Sequence, residues 1–163
     1  MRGGKYVKEK SCQMRLTLLF ISLFFLSQTV QADDLEAIYK RLVLARSLKC
    51  TFRVGLQADW RSGRLKTSPI SSEELVLHFD VIDVKKGTAR LIANIGASNV
   101  GVMLTPSHLS FMEKTDIGNL NFTTVFAYYE KGTQNFVSVT SRHGTMLDMP
   151  LPSQHHGSCQ VWE

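Results

Sequence analysis

Leu120-Asn-Phe-Thr-Thr-Val-Phe-Ala-Tyr-Tyr129 decides how this chain is read. Leu120, Phe122, Thr124, Phe126 and Tyr128 recur at every second position, the spacing at which side chains of an extended strand share one face. Lys131-Gly132 then marks a turn, and Phe136 to Arg142 reads as the next strand. Upstream the same grammar repeats. Leu109, Phe111 and Glu113 form one face before the turn at Asp116-Ile-Gly118-Asn, and Val100, Val102 and Leu104 alternate before Thr105-Pro106-Ser107. Ala89 to Ile95 is a strand ended by Gly96. Leu75, Leu77, Phe79 and Val81 share a face before Lys85-Lys86-Gly87.

Cys50 to Leu56 alternates as a first strand, and His156 to Trp162 reads as a last one after the Pro150/Pro152 loop. Between the first strand and Leu75, residues 57–74 hold Trp60, Gly63, Pro69 and several serines, which predicts a long loop. Trp60 there reads as a core anchor in preference to a lid.

About eight strands with short connections and no intervening helical pattern predict a mainly β protein, an antiparallel meander. Such a meander must bury one face and hide its edges, and closing into a small barrel or a two-sheet sandwich does both. An eight-stranded barrel has an interior that side chains fill or that holds one small ligand. The predicted interior comprises Leu77, Phe79, Leu91, Val102, Phe111, Phe122 and Phe126.

One helix precedes the β region of 50–163. Leu35, Ile38, Tyr39, Leu42 and Ala45 fall on one helical face, Asp33 or Asp34 can cap it, and Glu36 suits its first turn. The prediction is a helix over roughly 34–47 within the segment 33–48, packed as a lid on the body.

Residues 1–32 carry the marks of a cleaved signal peptide. Arg2, Lys5, Lys8, Lys10 and Arg15 precede an uncharged run from Leu16 to Leu26, and Val30-Gln31-Ala32 presents small residues for cleavage after Ala32. Met14 is a plausible start as well as Met1. The uncharged run is too short to span a bilayer, so no integral membrane segment is expected after cleavage. The leader takes five of the 19 basic residues and one of the 14 acidic ones, leaving 14 against 13 in a mature chain of 131 residues. A mature charge near +1, with its cations scattered, removes the case for a nucleic-acid partner.

Cys12 leaves with the leader, so the exported chain keeps Cys50 and Cys159, one near each end. Two cysteines in an exported, periplasmic or extracellular protein predict one disulfide. They lie in the first and last strands, which are neighbours only if the sheet closes, so this bridge favours a barrel or sandwich over an open sheet.

Leu77-His-Phe-Asp-Val-Ile-Asp83, Lys85-Lys-Gly-Thr-Ala-Arg-Leu-Ile-Ala-Asn-Ile-Gly96, Thr123 to Phe126, Ser141 to His143 and Pro152 to Cys159 together resemble a family of small exported bacterial proteins with no assigned activity. The resemblance implies a bacterial, exported origin and brings no catalytic motif. The expected barrel is similar in shape alone to lipocalin-like and avidin-like barrels.

Two constellations carry possible chemistry. Ser141, His143 and Asp148 lie close enough for a hydrolase arrangement, but no Gly-x-Ser-x-Gly elbow surrounds the serine. His143, His155 and His156 are weak candidates for a zinc or copper site, since an adjacent pair on a strand points to opposite faces. Arg142, with Glu113 and Asp116 on an earlier turn, suits a structural ion pair or an anion. The expectation is therefore a binding or interaction module with no catalytic residues and no cofactor. Its partner would be a small apolar ligand in the interior or an envelope protein. The alternative is a small periplasmic hydrolase or metal-dependent enzyme using Ser141, His143 and His155 or His156.

Overall fold

The computed structural model describes residues 34–60, 63–70, 74–94, 96–146 and 149–162. The predicted signal peptide and Asp148 lie outside them. Helix α1 (34–44) precedes eleven strands: β1 (Leu48–Asp59), β2 (Lys66–Ile70), β3 (Leu75–Asp83), β4 (Thr88–Ala93), β5 (Gly96–Leu104), β6 (His108–Lys114), β7 (Leu120–Tyr129), β8 (Phe136–His143), β9 (Thr145–Met146), β10 (Met149–Pro150) and β11 (Ser153–Val161).

Eight of them close into an antiparallel barrel in the order β1-β3-β4-β5-β6-β7-β8-β11, with β11 returning to β1. The seam runs from Leu48 opposite Val161 to Gln57 opposite Ser153. Cys50 faces Cys159 across it with Cα atoms 3.9 Å apart and sulfurs at disulfide distance, 1.96 Å. Of the barrel and the sandwich expected from the alternation and the cysteine positions, the closed barrel is the observed fold.

The expected loop at 57–74 is shorter than the sequence suggests. β1 continues to Asp59, and β2 pairs back onto its second half, from Gly55 opposite Ile70 to Asp59 opposite Lys66. Lys66 and Pro69 blunt this short flanking strand, as edge strands commonly require. That pattern hid the strand from a reading based on turn residues. Trp60 is half-buried in the turn that the Gly63 N–H closes onto its carbonyl at 2.8 Å, and it lies outside the packed core.

The predicted helix ends three residues early, because its last carbonyls are claimed by the sheet. The Ala45 N–H bonds the Leu42 carbonyl in a tight turn, while the carbonyls of Arg46 and Ser47 accept from the N–H groups of Ile82 and Trp162. Leu42 and Ala45 enter the core as the helical spacing requires, and Ile38 packs against it. Arg41 Nη1 donates to the Tyr129 hydroxyl at 2.9 Å, and Arg46 Nη1 donates to the Ile82 carbonyl at 3.0 Å. This end of the barrel is therefore plugged.

Inside, Phe52, Phe79, Phe111 and Phe136 are fully buried together with Leu48, Leu109 and Val125. Phe79 and Phe111 stack with centroids 3.9 Å apart and planes 15° from parallel. Of the seven predicted interior residues, Leu77, Phe79, Leu91 and Phe111 are buried there, and Val102 packs against them. Phe122 and Phe126 are a correction: both lie on the outer wall. Residues directly opposite each other in a sheet share a face. Thr123 stands opposite the inward Phe111, and Val125 opposite the inward Leu109, whereas Phe122 is paired with Met112 and Ser141. The face of β7 that enters the barrel is Asn121, Thr123, Val125, Ala127 and Tyr129, the less apolar of its two.

Candidate functional site

The barrel's two ends differ in chemistry. Toward the end away from α1, inward side chains become polar. Asn121 Nδ2 donates to Glu113 Oε2 at 2.7 Å, and Ser98 Oγ donates to Glu113 Oε1 at 3.2 Å. Thr123 Oγ1 donates to Thr140 Oγ1 at 2.9 Å in a fully buried contact. Arg142 completes this layer on β8. The predicted pairing of Arg142 with Glu113 is not made; the Glu113 carboxylate accepts from Asn121 and Ser98 instead. The cavity these residues enclose with Leu77, Phe79 and Leu91 measures about 20 Å³. That volume accommodates roughly one water molecule. The interior is a packed core closed by a polar layer.

The larger space lies at the rim, a groove of about 290 Å³ where β8, β11, β1 and β2 run side by side. Its walls come from two consecutive cross-strand rows. Ser141, Gln154 and Leu56 stand in one row, and Ala58 and Thr67 in the next, flanked by His143 and Pro152. Arg142, Gln57 and Ser153 form the strand positions between them. The groove thus offers an apolar floor from Leu56, Ala58 and Pro152, with hydroxyl, amide and imidazole groups around it, while the Arg142 side chain is turned to the inner face.

The predicted hydrolase arrangement is not assembled among the described residues. Ser141 and His143 do share the outer face of β8, but the Ser141 hydroxyl accepts a hydrogen bond from Gln154 Nε2 at 3.2 Å. The His143 ring meets Phe122 edge-on at 6.3 Å. His155 and His156 point to opposite sides of β11, the first buried and the second exposed. Among the described residues no three histidine, cysteine or carboxylate side chains converge on a point that would hold a metal. His155 titrates below the ordinary imidazole range, first because it is buried and then because Arg142 and His156 lie nearby.

Sequence reasoning found Ser141, Arg142, His143 and His155 but missed Asn121, Thr123 and Thr140 inside, and Leu56, Thr67 and Gln154 in the groove. Strand pairing creates both groups. Thr67 belongs to a strand hidden in an apparent loop, and Leu56 and Gln154 become neighbours only across the seam.

No known protein family, curated protein or solved structure matches this chain.

Proposed function

We propose that the protein is exported and works outside the cytosol as a binding module, taking a small polar ligand at the barrel rim and none in its interior. The observation that carries this reading is the contrast in space: about 20 Å³ inside against about 290 Å³ in the rim groove. Ligand sites combine an apolar surface with a few placed polar groups, and the groove has that composition. The hydroxyls of Ser141 and Thr67 and the amide of Gln154 both donate and accept hydrogen bonds, so a small polar molecule that carries donors and acceptors beside a short apolar part suits it. Export is supported by the leader-like composition of residues 1–32 and by the Cys50–Cys159 pair, since disulfides persist in oxidising compartments.

The test is native mass spectrometry of protein recovered from its exported compartment, alongside a Leu56→Trp variant that fills the groove. The expected result is a mature chain beginning at Asp33, lighter by two hydrogens than its reduced form. It carries a bound small molecule that Leu56→Trp loses. Retention of residues 1–32 would overturn export. A bound molecule that survives Leu56→Trp, or none in either protein, would overturn the groove.

A further inference from the structure

The outer wall of the barrel is divided by charge. On the side of β1, β3 and β4, Arg53 Nε contacts Glu74 Oε1 at 2.9 Å, and Arg90 grips both carboxylate oxygens of Asp80 at 2.8 and 2.5 Å. On β5 to β8, the only outward side chain with a fixed charge among the described residues is Lys114, at the end of β6. The rest of that wall is apolar or uncharged. Met103, Met112 and Tyr128 are 57%, 48% and 63% exposed. Phe122, Phe126 and Val139 are half-buried beside them. It is here that the most apolar alternation in the sequence points.

We infer that this wall is the interface of a homodimer, with β5 to β8 of one copy packed against β5 to β8 of a second. An isologous contact places each face against itself, so a face with net charge repels its own copy. The wall of β1, β3 and β4 has its ion pairs closed within the chain, while the wall of β5 to β8 brings almost no charge to be desolvated. Its lack of charge also gives a strongly charged partner nothing to pair with. Aromatic residues and methionine are enriched at protein interfaces, and flexible methionines repack against a facing surface. Four strands about 4.8 Å apart and about eight residues long span roughly 500 Å² per copy, an upper limit on what two convex barrels bury, so the contact falls below the roughly 1,000 Å² of a stable specific interface and in the range of transient ones. The dimer is accordingly weak and concentration-dependent. The interface borders the rim groove at Ser141 and His143 on β8 but is argued from its own lack of charge and tested at Met112 on β6, away from the groove lining.

Sedimentation equilibrium of the disulfide-intact protein across a thousandfold concentration range tests it. The wild type populates dimer as concentration rises, and Met112→Glu raises the dissociation constant at least tenfold. Mixing Met112→Glu with Met112→Lys restores association, because the opposed faces then carry opposite charges. Val54→Glu, on the exposed and apolar Val54 of β1, leaves the constant unchanged. A wild type that stays monomeric to about 1 mM overturns the inference. So does a Val54→Glu effect as large as that of Met112→Glu, or failure of the charge-swapped mixture to associate.

Discussion

Gly157 marks the tightest point of the seam. A Cβ added there would fall on the carbonyl oxygen of Thr51 and lie 2.7 Å from Phe52 Cα. Both obstacles are backbone, held by the pairing of β1 with β11 next to the bulge between Phe52 and Val54. No rotamer change relieves such a clash, so Gly157→Ala must displace a strand. We expect it to destabilise the protein by about 2–4 kcal/mol, in the range of overpacking that the structure cannot absorb. A lowered urea midpoint would confirm this, and a midpoint within error of wild type would refute the close approach. The same seam holds a proton-sensitive group. Folding lowers the affinity of His155 for protons by burying it, with Arg142 and His156 adding positive charge nearby. Below the ordinary imidazole pKa of about 6.5 the unfolded chain then binds more protons than the folded one, so stability rises with pH through that interval and is flat above it. Acidification from pH 7.5 to 5.5 should lower the urea midpoint, and His155→Gln should reduce that loss. Equal losses in the two proteins would remove His155 as the cause.

β7 shows how an element can be read correctly as a strand and still be turned the wrong way. Period-two alternation reveals extended structure, but it does not say which face enters the core when both faces carry apolar residues. On β7 the bulkier set is Leu120, Phe122, Phe126 and Tyr128, and the inward set is held there by its neighbours Phe111 and Leu109. The disulfide carries a cue to this orientation. Cys159 is inward and stands opposite Phe136, which stands opposite Tyr129. Following that chain of pairs from the disulfide makes Tyr129 inward and Tyr128 outward. Reading it from sequence requires the two-residue bulge between Val125 and Tyr129, which depends on contacts far apart in the chain. Elsewhere the sequence carried enough: Leu77, Phe79, Leu91 and Phe111 belong to strands whose opposite faces include a charged or strongly polar residue, His78 and Asp80, Arg90, and Ser110 and Lys114. Stability separates the two orientations of β7. Val125 is fully buried, so Val125→Ala should cost about 2 kcal/mol. Phe122→Ser removes a larger apolar side chain from the outer wall, so at monomer concentrations it should cost less than Val125→Ala. The reverse order in urea titrations would return Phe122 to the interior.

The molecule is a meander whose stability depends on how its two ends meet. Seven of the eight barrel contacts join strands consecutive around the wall through short connections or, for β1 with β3 and β8 with β11, through a modest excursion. The eighth joins β1 to β11 and closes a loop of 109 residues between Cys50 and Cys159. An unlinked chain must find that contact against the full entropy of the loop, whereas an oxidised chain starts with its ends tied. In the chain-entropy model a link of this span contributes about 4–5 kcal/mol, a large share of the 5–15 kcal/mol typical of a folded domain. The seam also has hydrogen bonds along its length, the stacked Phe79–Phe111 core and the α1 plug to hold it. Reduction should therefore weaken the barrel without unfolding it at room temperature. We expect the reduced protein to keep its far-ultraviolet β signature while its urea midpoint falls. Its m value should rise, because an unlinked denatured chain exposes more surface. A midpoint and m value both unchanged by reduction would mean that the staple constrains nothing in the unfolded chain, and that noncovalent pairing of β1 with β11 alone sets the closure.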